Sequence, residues 1–234
     1  MDFYKIFKNK KPVIGMIHLA GISRKDRINR ALKELSIYEE EGVDGAIIED
    51  YYGDIEDVRK TLEASNEFKI VRGINILRDP YLSFQFAKNY DAKFVQFDSI
   101  QKKDLDLDKY NELREFYNGI IVLGGVRFKY TFPTGNSLEQ DIEDGKLLCD
   151  AVVTTGEGTG IETPTKKLMD FKKYMKDFPL IVGAGVNKDN LYEQLSIADG
   201  AIIGSYFKSG NTMEMVDRKR VRDLMEIVNH VRIK

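Results

Sequence analysis

Residues 179–205, PLIVGAGVNKDNLYEQLSIADGAIIGS, hold two short apolar runs, each ending in a glycine turn. Gly183-Ala184-Gly185 closes the first run and Gly204-Ser205 the second, 21 residues on, with a helix-like segment between them. The runs are apolar throughout rather than alternating, as parallel strands buried on both faces are. The unit is therefore strand, turn, helix, strand, turn.

Outward from this stretch the unit recurs along the whole chain. Strands are expected at 12–18, 44–50, 69–75, 92–98, 119–126, 150–156, 179–185 and 199–205. Helical spacing lies between them. Ile28, Ala31, Leu32, Leu35 and Tyr38 share one face, as do Val221, Leu224, Met225, Val228 and Val231. Eight strand–helix units predict an α/β fold with a parallel sheet. An open doubly wound sheet shares this pattern, but two observations favour a closed eight-stranded parallel (βα)8 TIM barrel. A chain of 234 residues is near the ~250 typical of that barrel. The second observation is a repeat: Asp44-Gly-Ala-Ile-Ile, Asp91-Ala-Lys-Phe-Val, Asp150-Ala-Val-Val and Asp199-Gly-Ala-Ile-Ile, at intervals of 47, 59 and 49 residues. These open the even-numbered strands only. Alternate strands of a barrel feed alternate interior layers, so closure predicts such a restriction. The four aspartates are expected at the bottom rim, in a stabilising role. Residues 1–234 read as a single domain.

Bulk composition narrows the function classes. Net charge is −2, so no basic face points to nucleic acid. One cysteine, Cys149, excludes a disulfide framework and is expected as a small core residue. No apolar run reaches the ~20 residues of a transmembrane segment, and no signal core opens the chain. A cytoplasmic protein is expected. Barrels of this size often pair, so a homo-oligomer is an open expectation, and the segment FYKIF is read either as a cover for the barrel floor or as an oligomer contact.

In a barrel the loops after strands seven and eight are neighbours at the top rim and often bind phosphate. Gly183, Gly185, Gly204 and Ser205 are therefore the candidate phosphate-binding residues. Glycine lets backbone approach an anion, and backbone N–H groups in such turns point at it. Gly183-x-Gly185 is not a dinucleotide fingerprint, because Lys188 stands where the third glycine belongs. The other strand ends offer His18, Glu49, Asp50, Asn75, Asp98, Arg127, Lys129, Thr154 and Thr155, a set suited to acid–base work on a phosphorylated small molecule.

His18 has two readings, general acid–base group or hydrogen-bonded structural histidine. Glu49 and Asp50 are neighbours on a strand, so only one can face the axis. Asp50 with Asp54 could hold Mg²⁺ beside a phosphate, while Asp54 reads equally as a helix N-cap. No cofactor is required. Lys129 raises a Schiff-base aldolase, but anchoring an anionic group, together with Arg127, is the preferred role. The loop Gly156-Glu-Gly-Thr-Gly160 closes over a ligand, lines the pocket with N–H groups, or is plainly mobile.

Taken in order, KPVIGMIHL, GVDGAIIEDYYGD, RGINILRDP, CDAVVTTGEGTG, PLIVGAGVNKDN, ADGAIIGSYFKSG and MVDRKRV resemble the BtpA/SgcQ family over about residues 11–226. The resemblance implies a ribulose-phosphate-binding-type barrel. It also associates one branch with photosystem I biogenesis and another with sugar-utilisation gene clusters, hence carbohydrate metabolism, and leaves the reaction open. The chain departs from the family pattern in a short first loop, an abbreviated stretch after strand four, and Val126-Arg127-Phe128 where Val-Lys-His is expected. Three functions follow. The first is an enzyme on a phosphorylated sugar or phosphoribosyl compound, with isomerase, lyase and hydrolase chemistry open. The second is a non-catalytic assembly or biogenesis factor. The third is a prenyl-transferase-like barrel using Mg²⁺, which needs a long apolar groove.

Overall fold

Strand alternation and helix periodicity assemble into a closed barrel in strict sequence order, β1 through β8, every neighbouring pair parallel and β8 returning to β1. The computed structural model describes residues 3–233. A short helix α1 (Phe3–Ile6) precedes β1 (Val13–Ile17), α2 (Arg24–Glu40), β2 (Gly45–Glu49), α3 (Ile55–Ala64), β3 (Val71–Asn75) and α4 (Leu82–Asn89). Then follow β4 (Phe94–Phe97), α5 (Leu107–Phe116), β5 (Ile121–Gly125), α6 (Leu138–Leu148), β6 (Ala151–Thr155), α7 (Thr165–Met175), β7 (Leu180–Gly183), α8 (Leu191–Ile197), β8 (Gly200–Ile203) and α9 (Arg218–Ile233). All eight expected strands are present, each trimmed by one to three residues where the turns begin. Among the described residues no helix is long and apolar enough to cross a membrane.

Each strand divides its side chains between two cores. Outward-facing residues such as Ile17, Ile48, Val95, Val122 and Val182 pack under the helices. Inward-facing residues, among them Ile14, Ile47, Phe94, Leu123, Val153 and Ile202, fill the barrel. Phe94 occupies its interior place because β3 presents Gly73 opposite it. A Cβ at Gly73 would fall 2.1 Å from the Phe94 ring. Phe3 and Phe7 join the same inner cluster, and the Phe7 and Phe94 rings lie 5.9 Å apart. The N-terminal segment thus covers the barrel floor, the first of its two readings.

The repeated aspartates have a shared task at three of four positions. Asp44, Asp150 and Asp199 accept the backbone N–H of the preceding odd strand, at Val13 (2.8 Å), Val122 (2.7 Å) and Leu180 (3.0 Å). Each also meets a cation: Arg232, Arg114 and Lys172 respectively. The carboxylate thus satisfies a backbone N–H at the start of a strand. Asp91 breaks the pattern. Its φ is +55°, and it pairs with Lys93 at the surface. Cys149 is buried at the C-terminal end of α6, its thiol pushed up to about 12 by burial, as a core residue should be.

Candidate functional site

The top rim carries the polar strand ends. Alternation lets only one of Glu49 and Asp50 face the axis; the structure turns Glu49 inward, in line with Ile47, and Asp50 outward, and their partners differ accordingly. Asp50 is buried under the β3 loop, where it accepts the Leu77 N–H (2.7 Å) and pairs with Arg78 (2.8 Å). Asp54 caps α3, in a capping box with Asp57, and pairs with Arg24. The two carboxylates expected to share Mg²⁺ therefore serve separate loops and do not converge. Among the described residues no group of three or more His, Cys, Asp or Glu side chains is arranged as a metal site.

Glu49 and Asp98 do come together. The Asn75 side-chain amide donates to Glu49 Oε1 (2.9 Å) and to Asp98 Oδ1 (3.0 Å), and Gln96 Nε2 donates to the same Asp98 oxygen (2.9 Å). Glu49 is 6 % exposed. Burial, then the Asp98 charge, pushes its carboxyl up to about 8, against the opposing pull of Lys129 and the Asn75 bond. A carboxyl titrating near neutrality inside a cleft can both give and take a proton. Gln96 was not among the sequence candidates, although its place two residues from Asp98 on one strand face would have found it.

His18 is 4 % exposed, with its ring edge-on to Tyr51 at 5.5 Å. Burial, helped by the Lys208 and Lys129 charges, holds its imidazole well below its ordinary value, so it is neutral at pH 7. Its Nδ1 and the Gln96 Oε1 are both buried with no hydrogen-bond partner.

The loops after β6, β7 and β8 meet at one corner. Ala184 and Gly185 both take left-handed backbone, φ +63° and +65°. A Cβ on Gly185 would fall 2.2 Å from Glu162 N, so the β6 loop packs directly on this turn. A Cβ on Gly160 would come within 3.2 Å of Ser205 Oγ, and one on Gly204 within 2.8 Å of the His18 ring. Gly183, Gly185, Gly204 and Ser205 thus line one wall, joined by Thr159 and Gly160. Replacing Gly185 by alanine is expected to cost at least ~1 kcal/mol more, by urea unfolding, than Gly135→Ala. Both residues are left-handed, each worth about 1–2 kcal/mol, but Gly135 has open space around it. Equal costs would mean the β6 loop yields freely.

Lys129 forms the roof. Its N–H donates to Thr155 Oγ1 (2.7 Å) and its Nζ to Thr159 Oγ1 (3.1 Å). Tyr130 accepts the Thr159 N–H (3.0 Å). The cavity measures about 50 Å³, room for a few waters. Arg127, by contrast, turns away. With φ +47° it sends its guanidinium to Asp141 (2.7 Å) and to the Asn136 carbonyl (3.0 Å). The basic group in the pocket is Lys129. Thr154 faces outward, while Thr155 lines the cavity. Lys167, not foreseen, donates to the carbonyls of Arg127 (2.8 Å) and Thr155 (2.7 Å), tying the β5 and β6 loops. Burial, with Arg127 adding, lowers it to about 8.

Two further features bear on the site. A buried pair, Lys208 with Glu34, locks the turn that begins at Ser205 onto α2. A larger trough, about 1020 Å³, lies at the opposite end of the barrel among Lys5, Phe68, Lys88 and Phe116, away from the face where this fold places its chemistry. Among the described residues the top pocket is compact and polar, unlike the long apolar groove that a prenyl-transferase-like barrel needs.

Comparison with known proteins gives a consistent picture. The model of the BtpA family matches residues 9–230. An uncharacterized protein of Archaeoglobus fulgidus is 29% identical, over 92% of this chain and 98% of its own. The photosystem I biogenesis protein BtpA of Synechocystis is 27% identical, over 97% and 91%. Among solved structures, a thiamine phosphate pyrophosphorylase from Pyrococcus furiosus superposes with TM-score 0.65 at 18% identity, over 94% and 96%, a likeness of fold.

Proposed function

The chain belongs to the BtpA family, and we propose that its top pocket binds a phosphorylated sugar or phosphoribosyl compound and acts on it by general acid–base chemistry. The observation that carries this reading is the polarity of the pocket. One wall is backbone and hydroxyl at Gly160, Gly183, Gly185, Gly204 and Ser205; the other carries Glu49 and Asp98. The glycine wall suits a phosphate, since it offers close backbone approach without carboxylates. Glu49, poised near neutrality, is the proton-transfer group, and Lys129 faces the ligand from the roof.

A thermal-shift panel of phosphorylated sugars against their dephosphorylated partners tests this, with and without Mg²⁺. At 100 times its dissociation constant a ligand is expected to stabilise the protein by about 2.7 kcal/mol, and only when phosphorylated. Ser205→Glu is expected to abolish the shift. An undiminished shift in that variant would remove Ser205 from the phosphate site. Absence of any phosphate-dependent shift would favour the non-catalytic assembly reading. A Mg²⁺-dependent shift would bring a metal, with Glu49 or Asp98 as ligand, into the site.

A further inference from the structure

Resting on the phosphate-site reading, we infer that this pocket moves a proton between adjacent carbons, interconverting a phosphorylated α-hydroxy aldehyde and its ketone isomer. Three observations point there.

The first is the carboxyl pair. Glu49 Oε1 and Asp98 Oδ1 accept from the same Asn75 nitrogen, at 2.9 and 3.0 Å. An amide nitrogen carries two N–H donors, so Asn75 holds the two oxygens side by side on one side of the cavity. Two proton carriers so placed, held by one amide, can serve neighbouring atoms of one ligand. The second is the pair of orphan atoms. Gln96 Oε1 and His18 Nδ1 are buried in residues lining the cavity, with no partner. Buried polar atoms are nearly always bonded. These two await groups from the ligand, and hydroxyls, which both donate and accept, satisfy either atom. The third is Lys129, whose charge bears on both His18 and Glu49. A cation there stabilises an oxyanion as it forms.

Thr155 and Cys149 are not placed to act as covalent nucleophiles. Thr155 Oγ1 donates to the Gly156 carbonyl (2.9 Å) and accepts from Lys129 N. Cys149 lies at the far end of the barrel. The inferred isomerisation balances without a co-reactant. Ionised Glu49 takes the proton from the hydroxyl-bearing carbon. Those electrons form the carbon–carbon double bond of an enediolate, and the carbonyl π pair moves to the oxygen facing Lys129. Asp98 carries the hydroxyl proton from one oxygen to the other. Glu49 then returns its proton to the former carbonyl carbon. No atom is gained or lost, and nothing outside the ligand is oxidised or reduced.

The test uses the whole protein in D₂O with ribose 5-phosphate, ribulose 5-phosphate, glucose 6-phosphate and fructose 6-phosphate, followed by proton NMR beside the thermal-shift measurement. At least one aldose–ketose pair is expected to interconvert with loss of the carbon-bound proton signal. Glu49→Gln is expected to lose about 10³-fold in exchange rate while keeping its thermal shift. Asn75→Ala is expected to alter the pH profile of exchange more than its KM. Binding without exchange or interconversion, in wild type, overturns the isomerase inference and leaves the phosphate site standing. No shift with any of the four compounds overturns both.

Discussion

Replacing Glu49 by glutamine is expected to stabilise the protein at pH 8 while abolishing the proton transfer proposed for it. The carboxyl sits inside the barrel mouth, and its folded value stands at about 8 against the ordinary 4.5. A buried acid with a raised value favours folding least where the unfolded chain would be ionised and the folded one is not. Its contribution is complete below about pH 4.5 and is lost progressively as pH rises to about 8. Glutamine, neutral throughout and able to keep the Asn75 bond, escapes that loss. The gain should be near zero at pH 4 and grow to an upper bound on the order of 3–5 kcal/mol above pH 8, about 10 °C in Tm for a chain of this size. Melting curves of both proteins from pH 4 to 9 would show it. A difference that does not change with pH would mean Glu49 is not held protonated in the folded state.

Breaking the Glu34–Lys208 pair is the second large effect. Lys208 is 1 % and Glu34 4 % exposed. Burial pushes both towards their neutral forms, and their mutual attraction opposes it. Glu34 also accepts the Val216 N–H (3.3 Å) and Lys208 donates to the Glu214 carbonyl (3.3 Å), so one buried contact gathers α2, the Ser205 turn and the segment before α9. Glu34→Leu leaves the Lys208 ammonium buried beside Arg30 with only a carbonyl to meet it, and is expected to cost about 3–5 kcal/mol. Glu34→Leu with Lys208→Met removes both charges and should recover most of the loss, because a buried pair is worth little against a well-packed apolar one. The pairing energy is read from a double-mutant cycle in urea. A double variant as unstable as the single would place the cost in packing rather than charge. Because Lys208 ends the turn that begins at Ser205, the single variant should also weaken phosphate-dependent binding.

The barrel was legible because its evidence is local. Buried parallel strands are apolar at every position, and the aspartate repeat marks where even strands begin; Asp44, Asp150 and Asp199 show what that repeat is for. Alternation on a strand equally settles that only one of Glu49 and Asp50 can face the axis, and the strand ends put Asn75, Thr155 and Gly183 at the mouth. It would have added Gln96 beside Asp98 by the same rule. The glycine turns, too, were visible as turns.

What the sequence by itself determined is therefore the order of strands, the closure of the barrel and the residues that end each strand. These follow from a backbone period of two and from turn chemistry, which neighbouring residues impose on one another. Only the tertiary structure decided which loop side chains enter the pocket. Arg127 and Lys129 are two residues apart in one loop, yet Asp141 draws the first away while Thr159 holds the second over the cavity. It also decided that Gly160, Gly185 and Ser205 share a corner, that Asn75 joins two carboxyls from β2 and the end of β4, and that Lys208 finds Glu34 across 174 residues. Loop direction, burial and the resulting shifts in proton affinity depend on partners distant in the chain, and no local periodicity carries that information.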